Sequence, residues 1–104
     1  MERDARRGAT VRRQVCWVDR LDDGVKREAR VSFEGRNQLK WQFKRSDADA
    51  WDYDTPPSRE DWQRLIKAME GRYQRNLAPY KDVEMVRRLA RAAFPNVDEA
   101  EPAR

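Results

Sequence analysis

The stretch VCWVDRLDDGVKREARVSFEGRNQLKWQF, residues 15–43, decides the architecture. Its apolar residues recur at every second position: Val15 and Trp17, then Ala29, Val31 and Phe33, then Leu39, Trp41 and Phe43. That period belongs to strands with one buried face. The two turns between the runs set the register, because a shift of one residue moves every side chain to the other face. A two-residue turn at Asp23-Gly24 would put Trp17 opposite Arg30, core against surface. A three-residue loop, Asp22-Asp23-Gly24, puts Leu21 opposite Val25 and Trp17 opposite Ala29, and Gly24 fits the left-handed position at its end. The same rule applied to Gly35-Arg36-Asn37 puts Phe33 opposite Leu39, with Asn37 left-handed. Two independent turns thus generate the rows Arg13–Phe33–Leu39, Val15–Val31–Trp41 and Trp17–Ala29–Phe43. Such agreement between local and long-range signals predicts a three-stranded antiparallel meander, with strands over about 10–21, 25–34 and 38–45.

The two-fold run stops after Arg45, and Trp51 with Tyr53 leaves room for a short fourth strand. Thr55-Pro56-Pro57 breaks structure. Ser58 followed three residues on by Asp61 is an aspartate form of the capping box, and Trp62, Leu65, Ile66, Met69 and Tyr73 follow at helical spacing. Pro79 opens a second helix, with Val83, Val86, Leu89, Ala90, Ala93 and Phe94 on its apolar face, and Pro95 closes it. The expected fold class is α+β. A meander is covered on one face by an amphipathic helix over about 58–76, and a second helix follows over about 79–94. Residues 10–95 read as one domain, flanked by a flexible basic arm at 1–9 and a loose acidic tail at 96–104.

Composition removes several function classes. The 104 residues include one cysteine, Cys16, and no histidine, so an internal disulfide, a Cys/His zinc site and nucleophile–histidine chemistry are all excluded. No glycine-rich phosphate loop occurs. The aspartates Asp47, Asp49, Asp52 and Asp54 have the density of a cation loop. Counted from Asp47, however, an EF-hand's glycine position holds Asp52 and its final glutamate position holds Ser58. The expectation is a protein that is not an enzyme, with no metal and no cofactor. The N-terminal stretch has no apolar core for a signal peptide and no segment reaches the length of a membrane span, which reads as a cytoplasmic protein without a membrane partner.

Charge is segregated. Residues 1–46 carry a net +6, 47–61 a net −5, 62–94 a net +5 and 95–104 a net −2. The meander register sends Arg12, Arg20, Lys26, Arg30, Lys40 and Lys44 to the open face of the sheet, against Glu28 and Glu34, with Gln14, Ser32, Gln38 and Gln42 between them. Arginine and lysine neutralise phosphates and glutamine reads base edges, so Arg12, Lys26, Arg30, Lys40, Gln42 and Lys44 are the candidate nucleic-acid contacts. No aromatic of the three strands falls on this face, so a base-stacking sheet is not expected. The acidic segment 47–61 is expected to neutralise part of the basic blocks or compete for them. A second basic stripe, Arg64, Lys67 and Arg75 with Arg87, Arg88 and Arg91, lies along the helices.

In element order, residues 10–76 resemble the arm-binding domains of tyrosine integrases and the plant ethylene-response DNA-binding domains. Both families lay an open sheet face into the major groove. The resemblance implies a DNA-binding sheet and transfers no individual residue. The function read from the chain is a small non-enzymatic binding module with nucleic acid as partner. The alternative is a protein-interaction or self-associating module, monomer or weak homodimer, that offers Met85, Val86, Leu89 and Phe94 of the second helix.

Overall fold

A computed structural model of the chain describes residues 14–35 and 37–97. Three antiparallel strands form one sheet in the order β1 (Gln14–Arg20), β2 (Lys26–Gly35) and β3 (Gln38–Arg45), followed by helices α1 (Arg59–Gln74) and α2 (Tyr80–Ala93). The architecture is α+β, as the periodicity predicts. The described residues fall into two compact units that part between Pro56 and Pro57.

In the sheet unit the register follows the turn chemistry. Val15 pairs with Val31 and Trp17 with Ala29, while across the other seam Ala29 pairs with Phe43, Val31 with Trp41 and Phe33 with Leu39. The first turn closes with Leu21 N–H donating to the Val25 carbonyl at 2.8 Å, and Gly24 sits at φ +86°. The second turn differs at its tip. Gly35, not Glu34, stands opposite Gln38, so Glu34 is an extra residue in β2 and the register shifts beyond Phe33. Gly35 at φ +145° and Asn37 at φ +60° absorb this bulge, and the apolar rows below it keep their alignment. Val15, Trp17, Ala29, Val31, Phe33 and Phe43 are buried. Trp41 packs edge-on to Trp17 and offset-stacked on Phe43, at centroid distances of 6.0 and 5.9 Å. The same face ends in a cross-strand ion pair: Arg27 meets Asp19 at 2.8 Å and lays its guanidinium 4.5 Å from the centre of the Phe43 ring. Arg13 of the expected first row, and residues 10–13 of the expected first strand, lie outside the described residues.

In the helical unit the capping box is present in both directions. Asp61 N–H donates to Ser58 Oγ at 3.1 Å, and Ser58 N–H donates to the Asp61 carboxylate at 2.9 Å. Trp62, Leu65, Ile66 and Met69 are buried on one side of α1, while Tyr73 is exposed and packs against Tyr80 with centroids 5.2 Å apart. Asn76 at φ +62° turns the chain toward Pro79, the N-cap of α2. Val83, Met85, Val86 and Ala90 are buried. Of the tail expected at 96–104, residues 96 and 97 are described. Val97 is buried, its carbonyl accepts from Gln63 Nε2 at 3.0 Å, and the Asn96 carbonyl accepts from Arg59 at 3.3 Å. One isolated valine has no periodicity to announce it. Residues 98–104 and the arm at 1–9 lie outside the described residues.

Candidate functional site

The open face of the sheet is built by alternation. Because Val15, Trp17, Ala29, Val31 and Phe43 take the apolar face, Cys16, Arg30 and Gln42 form one row of the other face, Gln14, Ser32 and Lys40 a second, and Val18, Glu28 and Lys44 a third. The expected cations are on that face, but their environments differ. Lys26 and Lys40 are exposed. Arg30 is half-buried and sits 3.7 Å from Glu28. Lys44 donates to the Ala48 carbonyl at 2.8 Å. Arg12 lies outside the described residues.

No aromatic of the three strands lies on this face, as expected, but two from the segment after β3 do. After Arg45 the chain reverses and runs back along the outer edge of β3. Phe43 and Asp52 exchange two backbone hydrogen bonds, 3.0 Å from Phe43 N–H and 2.7 Å from Asp52 N–H. This is a single bridge, and no fourth strand forms among the described residues. Its parity is what matters. Asp52 opposite Phe43 belongs to the apolar side, so Trp51 and Tyr53 belong to the open side. There the Arg30 guanidinium lies 4.3 Å from the centre of the Trp51 ring, and the Lys40 ammonium lies 5.3 Å from that of Tyr53. Both are cation–π geometries. Tyr53 remains 58% exposed, and the Arg30 side chain 33%.

Of the polar readers expected between the cations, Ser32 and Gln42 are occluded, while Gln14 and Gln38 are exposed. Gln42 is only 9% exposed and Ser32 2%, and Gln14 Nε2 donates to Ser32 Oγ at 3.3 Å. Gln42 neighbours Arg30 in the register, and Arg30 reaches across β3 to Trp51.

Two of the four aspartates that suggest a cation loop, Asp47 and Asp52, accept hydrogen bonds from the chain itself. Asp47 and Asp23 both accept from Arg45, at 2.9 Å; the guanidinium holds the Asp47 carboxyl below its usual range, and the Val25 backbone N–H, followed by the guanidinium, does the same at Asp23. The Asp52 carboxylate accepts from the Thr55 hydroxyl at 2.5 Å and from the backbone N–H groups of Asp54 and Thr55 at 2.8 and 3.1 Å, and these bonds lower its pKa. Among the described residues no group of three or more His, Cys, Asp or Glu is placed to hold a metal ion. A cavity of about 220 Å³ opens on the apolar side of the bridge, lined by Leu21, Phe43, Ala48 and Ala50 among others. The charged groups at its rim are the paired Arg27, Arg45 and Asp52.

The alternative partner surface on α2 is mostly interior. Met85 and Val86 are buried, Leu89 and Phe94 half-buried. Exposed apolar groups of the helical unit gather instead at the hairpin turn, at Tyr73, Leu77 and Tyr80. Of the helical basic stripe, Arg64, Lys67, Arg75, Arg88 and Arg91 are exposed, while Arg87 pairs with Glu70, which raises its pKa. Among the described residues no helix is long and apolar enough to cross a membrane.

No protein-family model, no curated protein and no solved structure matches this chain, so the likeness to sheet-type DNA-binding domains rests on element order alone.

Proposed function

We propose that the chain is a small non-enzymatic binding module that takes nucleic acid on the open face of its sheet. The observation that supports this most is the pairing of cation and aromatic on that face, Arg30 with Trp51 and Lys40 with Tyr53, with Lys44 in the next row and Lys26 at the start of β2. Phosphates provide the charge such a face attracts, and bases provide the planar surfaces its rings accept. Amide NMR titration with short DNA at about 50 mM and about 200 mM salt tests the reading. Shifts at 26–32, 38–44 and 51–53 that fade with salt are expected, and Arg30→Glu with Lys40→Glu removes them without unfolding the chain. Binding that survives the double charge reversal, or shifts confined to 64–91, overturns the sheet-face reading.

A second reading, a protein-interaction or self-associating module, draws support from the exposed Tyr73, Leu77 and Tyr80 at the helical hairpin. A sedimentation coefficient that rises with concentration and stops doing so in Leu77→Asp would support it.

A further inference from the structure

Resting on that reading, we infer that the ligand is single-stranded nucleic acid, held through stacked bases and with little sequence preference. Three observations converge. The platforms are aromatic: Tyr53 is 58% exposed, and Trp51 is half-buried with the Arg30 guanidinium against its ring. Base faces are available to such platforms only when the base is out of a duplex. The spacing agrees. Trp51 and Tyr53 are alternate residues on an extended segment, about 6.6 Å apart at two strand rises, roughly twice the 3.4 Å rise of a duplex strand. The two platforms therefore suit neighbouring bases that have been unstacked and spread. Finally, Gln42 and Ser32, the central side chains placed to read base edges in a groove, are buried, and the exposed glutamines, Gln14 and Gln38, stand on β1 and at the hairpin end of β3. Around the two rings the contacts on offer are phosphate contacts from Lys26, Arg30, Lys40 and Lys44 and ring faces, neither of which distinguishes one base from another.

The test compares four probes by fluorescence anisotropy at low salt: oligothymidylate, oligouridylate, an abasic deoxyribose-phosphate strand of equal length, and a mixed-sequence duplex. Thymidylate or uridylate should bind about tenfold or more tighter than the abasic strand and the duplex, and the better of the two tells a DNA from an RNA ligand. Tyr53→Ala should weaken binding to the based strands about tenfold and leave the abasic strand unchanged, and Tyr53→Phe should restore it. Near-UV circular dichroism checks that the variants keep the native packing. An abasic strand or duplex that binds as tightly as thymidylate, with Arg30→Glu still abolishing binding, overturns the single-strand inference and leaves the sheet-face reading standing. No binding of any probe overturns both.

Discussion

The salt dependence of binding can be worked out from the face before any ligand is identified. Four cations of the sheet lie where a strand crossing Tyr53 and Trp51 would pass: Lys26, Arg30, Lys40 and Lys44. Each phosphate neutralised on a single strand contributes about −0.7 to the slope of log K against log salt. Four contacts give a slope of about −2.8, so a fourfold rise in salt weakens binding about 50-fold. Lys40→Gln removes one contact and keeps the length of the side chain. The slope should fall to about −2.1 and the same rise in salt should cost about 18-fold. Lys40 is exposed and its ammonium touches the Tyr53 ring from outside, so the substitution leaves the sheet intact. Anisotropy of a labelled oligothymidylate, titrated at four or more salt concentrations, measures both slopes. A parent slope near zero, or a Lys40→Gln slope equal to the parent's, refutes the assignment of phosphates to this face. The helical stripe serves as control: Lys67→Gln should leave the slope unchanged.

Three further outcomes concern the scaffold. Phe43 is buried between Trp41 and the Arg27 guanidinium, so Phe43→Ala should cost about 3–5 kcal/mol in urea unfolding, and a loss below about 1 kcal/mol would contradict its place in the core. At Gly24 an added Cβ meets no atom within 4 Å, so Gly24→Ala carries only the left-handed backbone penalty, about 1 kcal/mol, and D-alanine at that position should relieve it; equal stability of the two would refute the turn assignment. The Asp52 carboxyl is lowered by its bonds from Thr55 and Asp54, so its contribution is complete above the ordinary value of 3.8 and is lost as pH falls through the lower folded value. The protection of the Asp54 and Thr55 amides, each rate divided by its intrinsic rate at the same pH, should accordingly be highest at neutral pH and fall in acid, and Asp52→Asn should lower it and remove that fall.

Much of the sheet was legible because register is a local property of turns. Gly24 and Asn37 take the left-handed positions that their loops require, and once those are placed the apolar rows follow. The bulge at Glu34 was not legible, because Glu34 and Gly35 face solvent and no apolar row constrains the tip. On the helices the capping box and the spacing of Trp62, Leu65, Ile66 and Met69 carry their own evidence. Val97 carries none, since a single apolar residue after a proline has no period.

By itself, the amino-acid order determined the strand register, the helix limits and the absence of histidine or paired-cysteine chemistry, all of which depend on neighbours in sequence or on composition. The candidate site was decided by tertiary structure. A pair of hydrogen bonds between Phe43 and Asp52 sets the parity of the returning segment, and that parity alone places Trp51 and Tyr53 over Arg30 and Lys40. Three residues are too few to show a two-fold period, and a shift of one would have turned both rings to the apolar side and left Asp52 among the cations. The burial of Gln42 is likewise a tertiary fact: its identity marks it as polar, and the fold leaves it 9% exposed beside Arg30 in the register.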